Sequence, residues 1–207
     1  SHRPSGITAF DSFVQMAAIL TSRGTMELKE HFRLLADETT RQIDSGIFPV
    51  PGEKYRLYWD SIAPWHQLRS MSSKLAEYGA NITTASYTYC IGTTEGETDL
   101  FAFDGKDPFH FLARSQNFSV CPYGLALRGK AMREAVKQNS IDGIVFASNR
   151  SCKVYSLMQL DEMEGIKKDL DIPCIMVDVD HADVRKYSES NVFLRMEALL
   201  EMIESRR

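Results

Sequence analysis

The sequence predicts an α/β fold: a flavodoxin-like or Rossmann-like parallel sheet of about four strands flanked by helices and preceded by a helical hairpin. Three observations predict it. From Lys54 onward, apolar runs of strand length alternate with amphipathic stretches of helical length. The runs IVFA and PCIMV are apolar without a polar face, the pattern of strands buried on both sides of a parallel sheet. Glycines and prolines fall between the segments, where a chain must turn.

The elements follow in order. Thr8 to Arg23 has helical periodicity, with Thr8 and Asp11 as a capping pair and Phe13, Met16, Ala17 and Leu20 on one face; Gly24 ends it. Thr25 opens a more polar helix that runs to about Asp44 and stops at Gly46. Residues 1–48 therefore read as a hairpin that leads into a domain or joins it to a preceding one, and Pro49, Pro51 and Gly52 form a linker.

Residues 54–207 read as the α/β domain. Tyr55–Trp59 is a strand, and Pro64 starts a helix that ends near Tyr78 with Gly79 as its cap. Ile82–Tyr87 is a second strand, 92–105 a loop, and Asp107–Arg114 a short helix. Gly124–Gln138 is an amphipathic helix carrying Leu125, Leu127, Met132 and Val136. Ile141–Ala147 is the third strand, Leu157–Leu170 a helix and Pro173–Val177 the fourth strand. Ser188–Ile203 closes the chain as a helix with Val192, Leu194, Ala198, Leu199 and Met202 available for burial.

The bulk numbers narrow the function classes. At 207 residues the chain is large enough for one sizeable core, and 43% hydrophobic with 25% charged residues is ordinary for a globular protein. A net charge of -4 with no Lys/Arg block longer than two argues against nucleic acid, and no apolar run approaches the roughly 18 residues that span a membrane. The opening SHRPSG has no Met and no signal-peptide pattern, as expected of a chain that starts partway through something longer. Cys90, Cys121, Cys152 and Cys174 lie far apart without a CxxC, so a reduced, cytoplasmic setting is expected. GxSxG, the P-loop and GxGxxG are all absent.

Parallel strands open at one edge, and three loops there carry polar groups: 60–66, 148–153 and 178–183. Cys152 lies between Arg150 and Lys153 where a strand gives way to a helix, a place that favours a thiolate. The thiol could be a packing residue, a nucleophile or a metal ligand. Asp178, Asp180, His181 and Asp183 could bind a cation, but their spacing lacks the glycine of an oxygen-ligand loop, so capping and pairing with Arg185 is expected. Trp59 and Trp65 are placed in packing, with a pocket wall as the alternative, and Cys90 and Cys121 read as structural.

These motifs carry a family resemblance. NRSCKVYSL, then DIPCIMVDVDHADVRKYSE and a last helix ending RMEALLEMIE, resemble the C-terminal half of 2-hydroxyacyl-CoA dehydratase/benzoyl-CoA reductase subunits, of the 2-hydroxyglutaryl-CoA dehydratase D-component type. GEKYRLYWDSIAPWH and SRGT match upstream, so the resemblance covers essentially the whole chain. It implies a [4Fe–4S] cluster held by three cysteines, an acyl-CoA substrate and a ketyl-radical intermediate. It also implies a homologous second subunit in a heterodimer and an ATP-dependent iron–sulfur activator. Cys152 matches the last cluster cysteine, with Asn149, Arg150, Ser151, Lys153 and Trp65 as the supporting edge. The family's other two ligands lie in an N-terminal domain that nothing here matches, so the role does not pass to Cys90, Cys121 or Cys174, and the isolated chain is expected to be inactive. The wording of SRGT, YRLYWD and NRSCKVYS is closer to dehydratases, which eliminate water from an (R)-2-hydroxyacyl-CoA to give an enoyl-CoA, than to aromatic-ring reductases. Two alternatives are a reductase-type subunit and a non-catalytic scaffold. A thiol-nucleophile enzyme is a third, with His181 as the nearby base.

Overall fold

A computed structural model describes residues 2–89, 105–116 and 124–207. Cys90, Cys121 and the expected loop at 92–105, apart from Gly105, lie outside the described residues. Strands β1 (Tyr55–Asp60), β2 (Ala80–Ala85), β3 (Gly143–Asn149) and β4 (Cys174–Val179) form one sheet in the order β2–β1–β3–β4, with every pairing parallel. The helices are α1 (Ala9–Ser22), α2 (Met26–Asp44), α3 (Leu68–Glu77), α4 (Pro108–Gln116), α5 (Leu125–Asn139), α6 (Lys153–Ser156), α7 (Gln159–Leu170) and α8 (Glu189–Glu204).

The pleat of β3 explains the layers. Val145 and Ala147 enter a core shared with α1, α3 and α8, while Ile144 and Phe146 enter a second core shared with α5 and α7. Both faces of the sheet are thus covered, and both demand apolar side chains on the same strand. The hairpin is tied to this core from one side only. The Thr8–Asp11 capping box fixes the start of α1, whose Phe10, Phe13 and Met16 pack on the sheet, whereas α2 buries no residue fully. Gly79 ends α3 at φ 70, and a Cβ there would lie 2.8 Å from the carbonyl oxygen of Gly52. That close approach lets the Gly79 carbonyl accept from Lys54 and Tyr55 at the mouth of β1.

Several expected faces are rotated. On α8, Val192 and Leu199 are buried as expected, but Leu194, Ala198 and Met202 point to solvent, and Phe193, Met196, Leu200 and Ile203 fill the core instead. The helix is apolar on two sides, and the sheet selects the stripe that spans more residues. On α1, Ala17 and Leu20 are exposed because Phe10 and Phe13 take the sheet. On α5, Leu125 is exposed and Arg128 takes an inward position ahead of Met132 and Val136. The helix expected from Leu157 is preceded by the separate turn α6, and β2 starts and ends two residues earlier than its apolar pattern indicated.

Candidate functional site

The sheet reverses its direction of growth between β1 and β3, which opens a crevice at their C-terminal ends. Because all strands are parallel, the loops 60–66, 148–153 and 178–183 meet there, as expected. Asn149 Nδ2 donates to the Ile62 carbonyl at 3.4 Å and His66 Nε2 reaches the Asp180 carbonyl at 3.2 Å. Ser151 Oγ donates to Asp180 Oδ2 at 2.6 Å, and His181 Nδ1 lies 2.9 Å from Asn149 Oδ1. Asn149, fully buried, links all three loops; His181 is engaged with it, and no hydrogen bond joins His181 to Cys152 among the described residues.

Cys152 is half-buried in this network. Its N–H donates to the Asn149 carbonyl at 3.0 Å, which also accepts Ser156 Oγ at 2.7 Å, and its own carbonyl accepts from the Ser156 N–H at 3.1 Å. The turn is therefore pinned through backbone on both sides of the thiol. The cations beside it in sequence are arranged differently from expectation. Arg150 swings to Asp178 at 3.7 Å, Lys153 is exposed, and α6 is a single four-residue turn with little dipole to offer.

Behind the crevice lies a buried polar shelf that sequence reading missed. Asp60, at the end of β1, accepts Ser86 Oγ at 2.8 Å and Gln159 Nε2 at 2.7 Å. Arg128 lies 3.4 Å from Asp60 and 3.1 Å from Glu162, and its guanidinium stacks over Tyr155 at 4.7 Å. Burial pushes the Glu162 carboxyl up to about 8; the Asp60 charge adds to this and Arg128 opposes it. Arg128 also donates to the Val154 carbonyl at 3.4 Å, so the shelf touches the turn that follows Cys152. One signal in the sequence could have found it: Arg128 stands on the same helical face as Met132, Ala135 and Val136. Ser61, next to Asp60, is held at φ 99, a conformation non-glycine residues rarely adopt.

Aromatic rings wall the other side. Trp65 is 41% exposed and sits edge-on to Phe13 at 5.6 Å and Tyr87 at 6.4 Å, while Tyr87 meets Tyr155 at 6.2 Å. Trp59 is fully buried against Phe10 at 5.9 Å, so it packs and lines nothing.

The acidic turn is structural, as expected. Asp180 Oδ1 accepts the amides of Ala182 and Asp183 at 3.0 and 2.9 Å, and Asp183 takes Arg185 at 2.8 and 2.9 Å. Among the described residues no group of three or more His, Cys, Asp or Glu could hold a metal ion. Cys174 starts β4, so it lies at the sheet's opposite end, with Sγ donating to the Ile172 carbonyl at 3.3 Å; burial pushes its thiol up to about 12. Of the two cysteines among the described residues, Cys152 alone stands at this edge.

The family model for the D-component of 2-hydroxyglutaryl-CoA dehydratase matches residues 1–203. The chain is 32% identical to the (R)-phenyllactyl-CoA dehydratase alpha subunit of Clostridium sporogenes, over 100% of this chain and 48% of that one. It is 28% identical to the alpha subunit of (R)-2-hydroxyglutaryl-CoA dehydratase from Acidaminococcus fermentans, over 99% of this chain and 41% of that one. It is also 28% identical to a subunit of the benzoyl-CoA reductase of Thauera aromatica, over 100% of this chain and 49% of that one. The chain spans about half the length of the curated relatives it matches.

Proposed function

The chain belongs to the 2-hydroxyglutaryl-CoA dehydratase D-component family, and from that premise we propose that it serves in a subunit of an iron–sulfur (R)-2-hydroxyacyl-CoA dehydratase, which eliminates water from a 2-hydroxyacyl-CoA to give an enoyl-CoA. The observation that carries the reading is Cys152, half-buried and backbone-pinned where three loops converge at the sheet edge. In this reading Cys152 gives one thiolate to a [4Fe–4S] cluster whose other ligands come from outside the described residues. When bound, the cluster supplies the single-electron chemistry that the elimination needs. The chain's own residues do the positioning. Asn149 sets the Cys152 turn and ties it to the loop after β1; Ser151 anchors it to Asp180; Trp65 and Tyr87 screen one side from solvent.

Residues 54–207 would form the unit that carries Cys152, and 1–48 the hairpin that joins it to the rest of the subunit. The relatives are themselves named as subunits of dehydratases and of a reductase, which supports a homologous second subunit as partner. An ATP-dependent iron–sulfur activator and a cytoplasmic location complete the proposal. No helix among the described residues is long and apolar enough to cross a membrane. The likeness to the benzoyl-CoA reductase chain favours a second reading, a ring-reducing enzyme that uses Cys152 in the same way. The test is iron content, EPR and product analysis of the full-length protein with its partner and activator, offered 2-hydroxyacyl-CoA and benzoyl-CoA. Enoyl-CoA formation that vanishes in Cys152→Ser is expected; full iron and turnover in that variant would defeat the reading.

A further inference from the structure

Most ionisable groups of the three crevice loops are already held by protein partners. After β1, Asp60 accepts Ser86 and Gln159, while His66 turns Nε2 to the Asp180 carbonyl and buries its Nδ1. After β3, Arg150 meets Asp178 and Lys153 is an exposed cation. After β4, Asp180 serves Ser151 and two amides, and Asp183 serves Arg185. His181 differs from all of these. Its Nδ1 lies 2.9 Å from Asn149 Oδ1, and its Nε2 forms no hydrogen bond among the described residues. The network also fixes which ring nitrogen carries the hydrogen. Asn149 Nδ2 faces the Ile62 carbonyl, which only accepts, so Asn149 presents its oxygen to His181. That oxygen only accepts too, so the neutral His181 ring is protonated at Nδ1 and keeps a lone pair on Nε2. Asn149 is fully buried and His181 is half-buried, so the ring is anchored at its inner nitrogen and open at its outer one. Asp180 caps the amides of Ala182 and Asp183, which holds the backbone beside the ring.

We propose that His181 is a catalytic residue whose Nε2 takes the proton that the substrate loses in the elimination, an inference that rests on the dehydratase reading above. A general base needs an open lone pair and a group that orients the ring from its far nitrogen. Asn149 is that orienting group. The elimination breaks the C–O bond at the carbon that bears the hydroxyl and a C–H bond at the next carbon, and a C=C bond forms between the two. The proton from that C–H bond passes to Nε2, and the hydroxyl leaves as hydroxide. Return of the proton to the hydroxide gives the water, so nothing is oxidised or reduced overall. Cys152 moves no proton in this scheme and stays free for its role as a ligand.

The full-length protein with its partner subunit and activator, offered a 2-hydroxyacyl-CoA, tests this. His181→Gln should lower kcat about a hundredfold or more, the scale of one acid–base group, with KM little changed. Iron content and EPR should match the parent, and added imidazole should restore part of the rate of His181→Gly. His31→Gln, which alters an exposed histidine paired with Gln15 on the hairpin, should leave kcat unchanged. Diethyl pyrocarbonate gives a readout apart from turnover, because it acylates an imidazole nitrogen with a free lone pair. Mass spectrometry should find His181 acylated in the free protein and protected by the 2-hydroxyacyl-CoA. A His181 that the substrate leaves unprotected, or iron lost in step with rate, would overturn the assignment. Enoyl-CoA formed equally by the parent and His181→Gln would reject His181 alone. Enoyl-CoA missing from the parent would reject the dehydratase reading, and this role with it.

Discussion

Ser151 Oγ donates to Asp180 Oδ2 at 2.6 Å, and this bond joins the turn that carries Cys152 to the acidic turn after β4. Asp180 is a junction because its other oxygen caps two amides. Burial disfavours its charge, but those amides, the Ser151 hydroxyl and the nearby His181 outweigh it and hold the carboxyl well below the usual carboxylate range.

Asp180→Asn should therefore cost about 1–3 kcal/mol, since an amide cannot serve all three donors. A depressed carboxyl adds stability above its ordinary value of 3.8, and that contribution fades only as pH falls through the lower folded value. The variant should lose stability at neutral pH and show a flatter acid limb in urea titrations. Its Cys152 should also alkylate several-fold faster as the turn loosens. Unchanged melting and unchanged alkylation would show that Asp180 is no strut.

Glu162 works in the opposite direction. Between its ordinary value of 4.5 and the folded value of about 8, the unfolded chain has released the proton that the folded protein keeps, so rising pH destabilises. Glutamine has the shape of the neutral acid. Glu162→Gln should match the parent near pH 5 and exceed it at pH 8, each unit of displacement being worth about 1.4 kcal/mol. Denaturant midpoints at both values decide it; a pH-independent difference would be inconsistent with a retained proton.

Ser61 combines a φ of 99 with a buried hydroxyl that has no partner among the described residues. Both are unfavourable, and backbone strain of this kind costs about 1–3 kcal/mol. Ser61→Gly should raise the melting temperature, with a gain of about 1 kcal/mol. Ser61→Ala, which relieves only the hydroxyl, should gain less. A lower Tm for the glycine variant would mean that the turn depends on that hydroxyl.

The two described cysteines make opposite forecasts. Cys152→Ser changes a half-buried turn and should alter stability by no more than about 1 kcal/mol while iron falls. Cys174→Ser puts a hydroxyl into an apolar strand start that is 5% exposed, and should cost about 1–3 kcal/mol and leave iron intact. Iron per protein and Tm, measured for both, separate the roles.

Much of this architecture is legible in the sequence because alternation of apolar runs and amphipathic stretches is a local signal, and parallel pairing then brings the three loops to one edge. What resists reading is orientation. Leu194 and Leu199 are equally apolar, and only the approach angle of α8 decides that Leu199 is buried and Leu194 exposed. The placement of Cys152 in a polar turn is legible, yet the rotation of Arg150 toward Asp178 depends on a residue 28 positions later, on β4, and is not. The Asp60–Arg128–Glu162 shelf is assembled from three distant segments, and its only local trace is a charged residue on an apolar helix face.

The strand order also sets a timetable for synthesis. The β1–β3 seam closes over a long stretch of chain, with the Arg56 N–H reaching Asp142 Oδ2 across 86 positions. The β1–α3–β2 unit can pair as soon as it leaves the ribosome, but Asp60 gains Gln159 only after α7 has followed, and Asn149 gains His181 only after β4. Non-local pairing of this kind is slow relative to local helix formation. Pulse-labelled exchange during refolding should accordingly protect the amides of Gly143–Asn149 after those of Ala80–Ala85. The crevice is then a late product of folding, and the three loops around Cys152 converge only once β4 is in place.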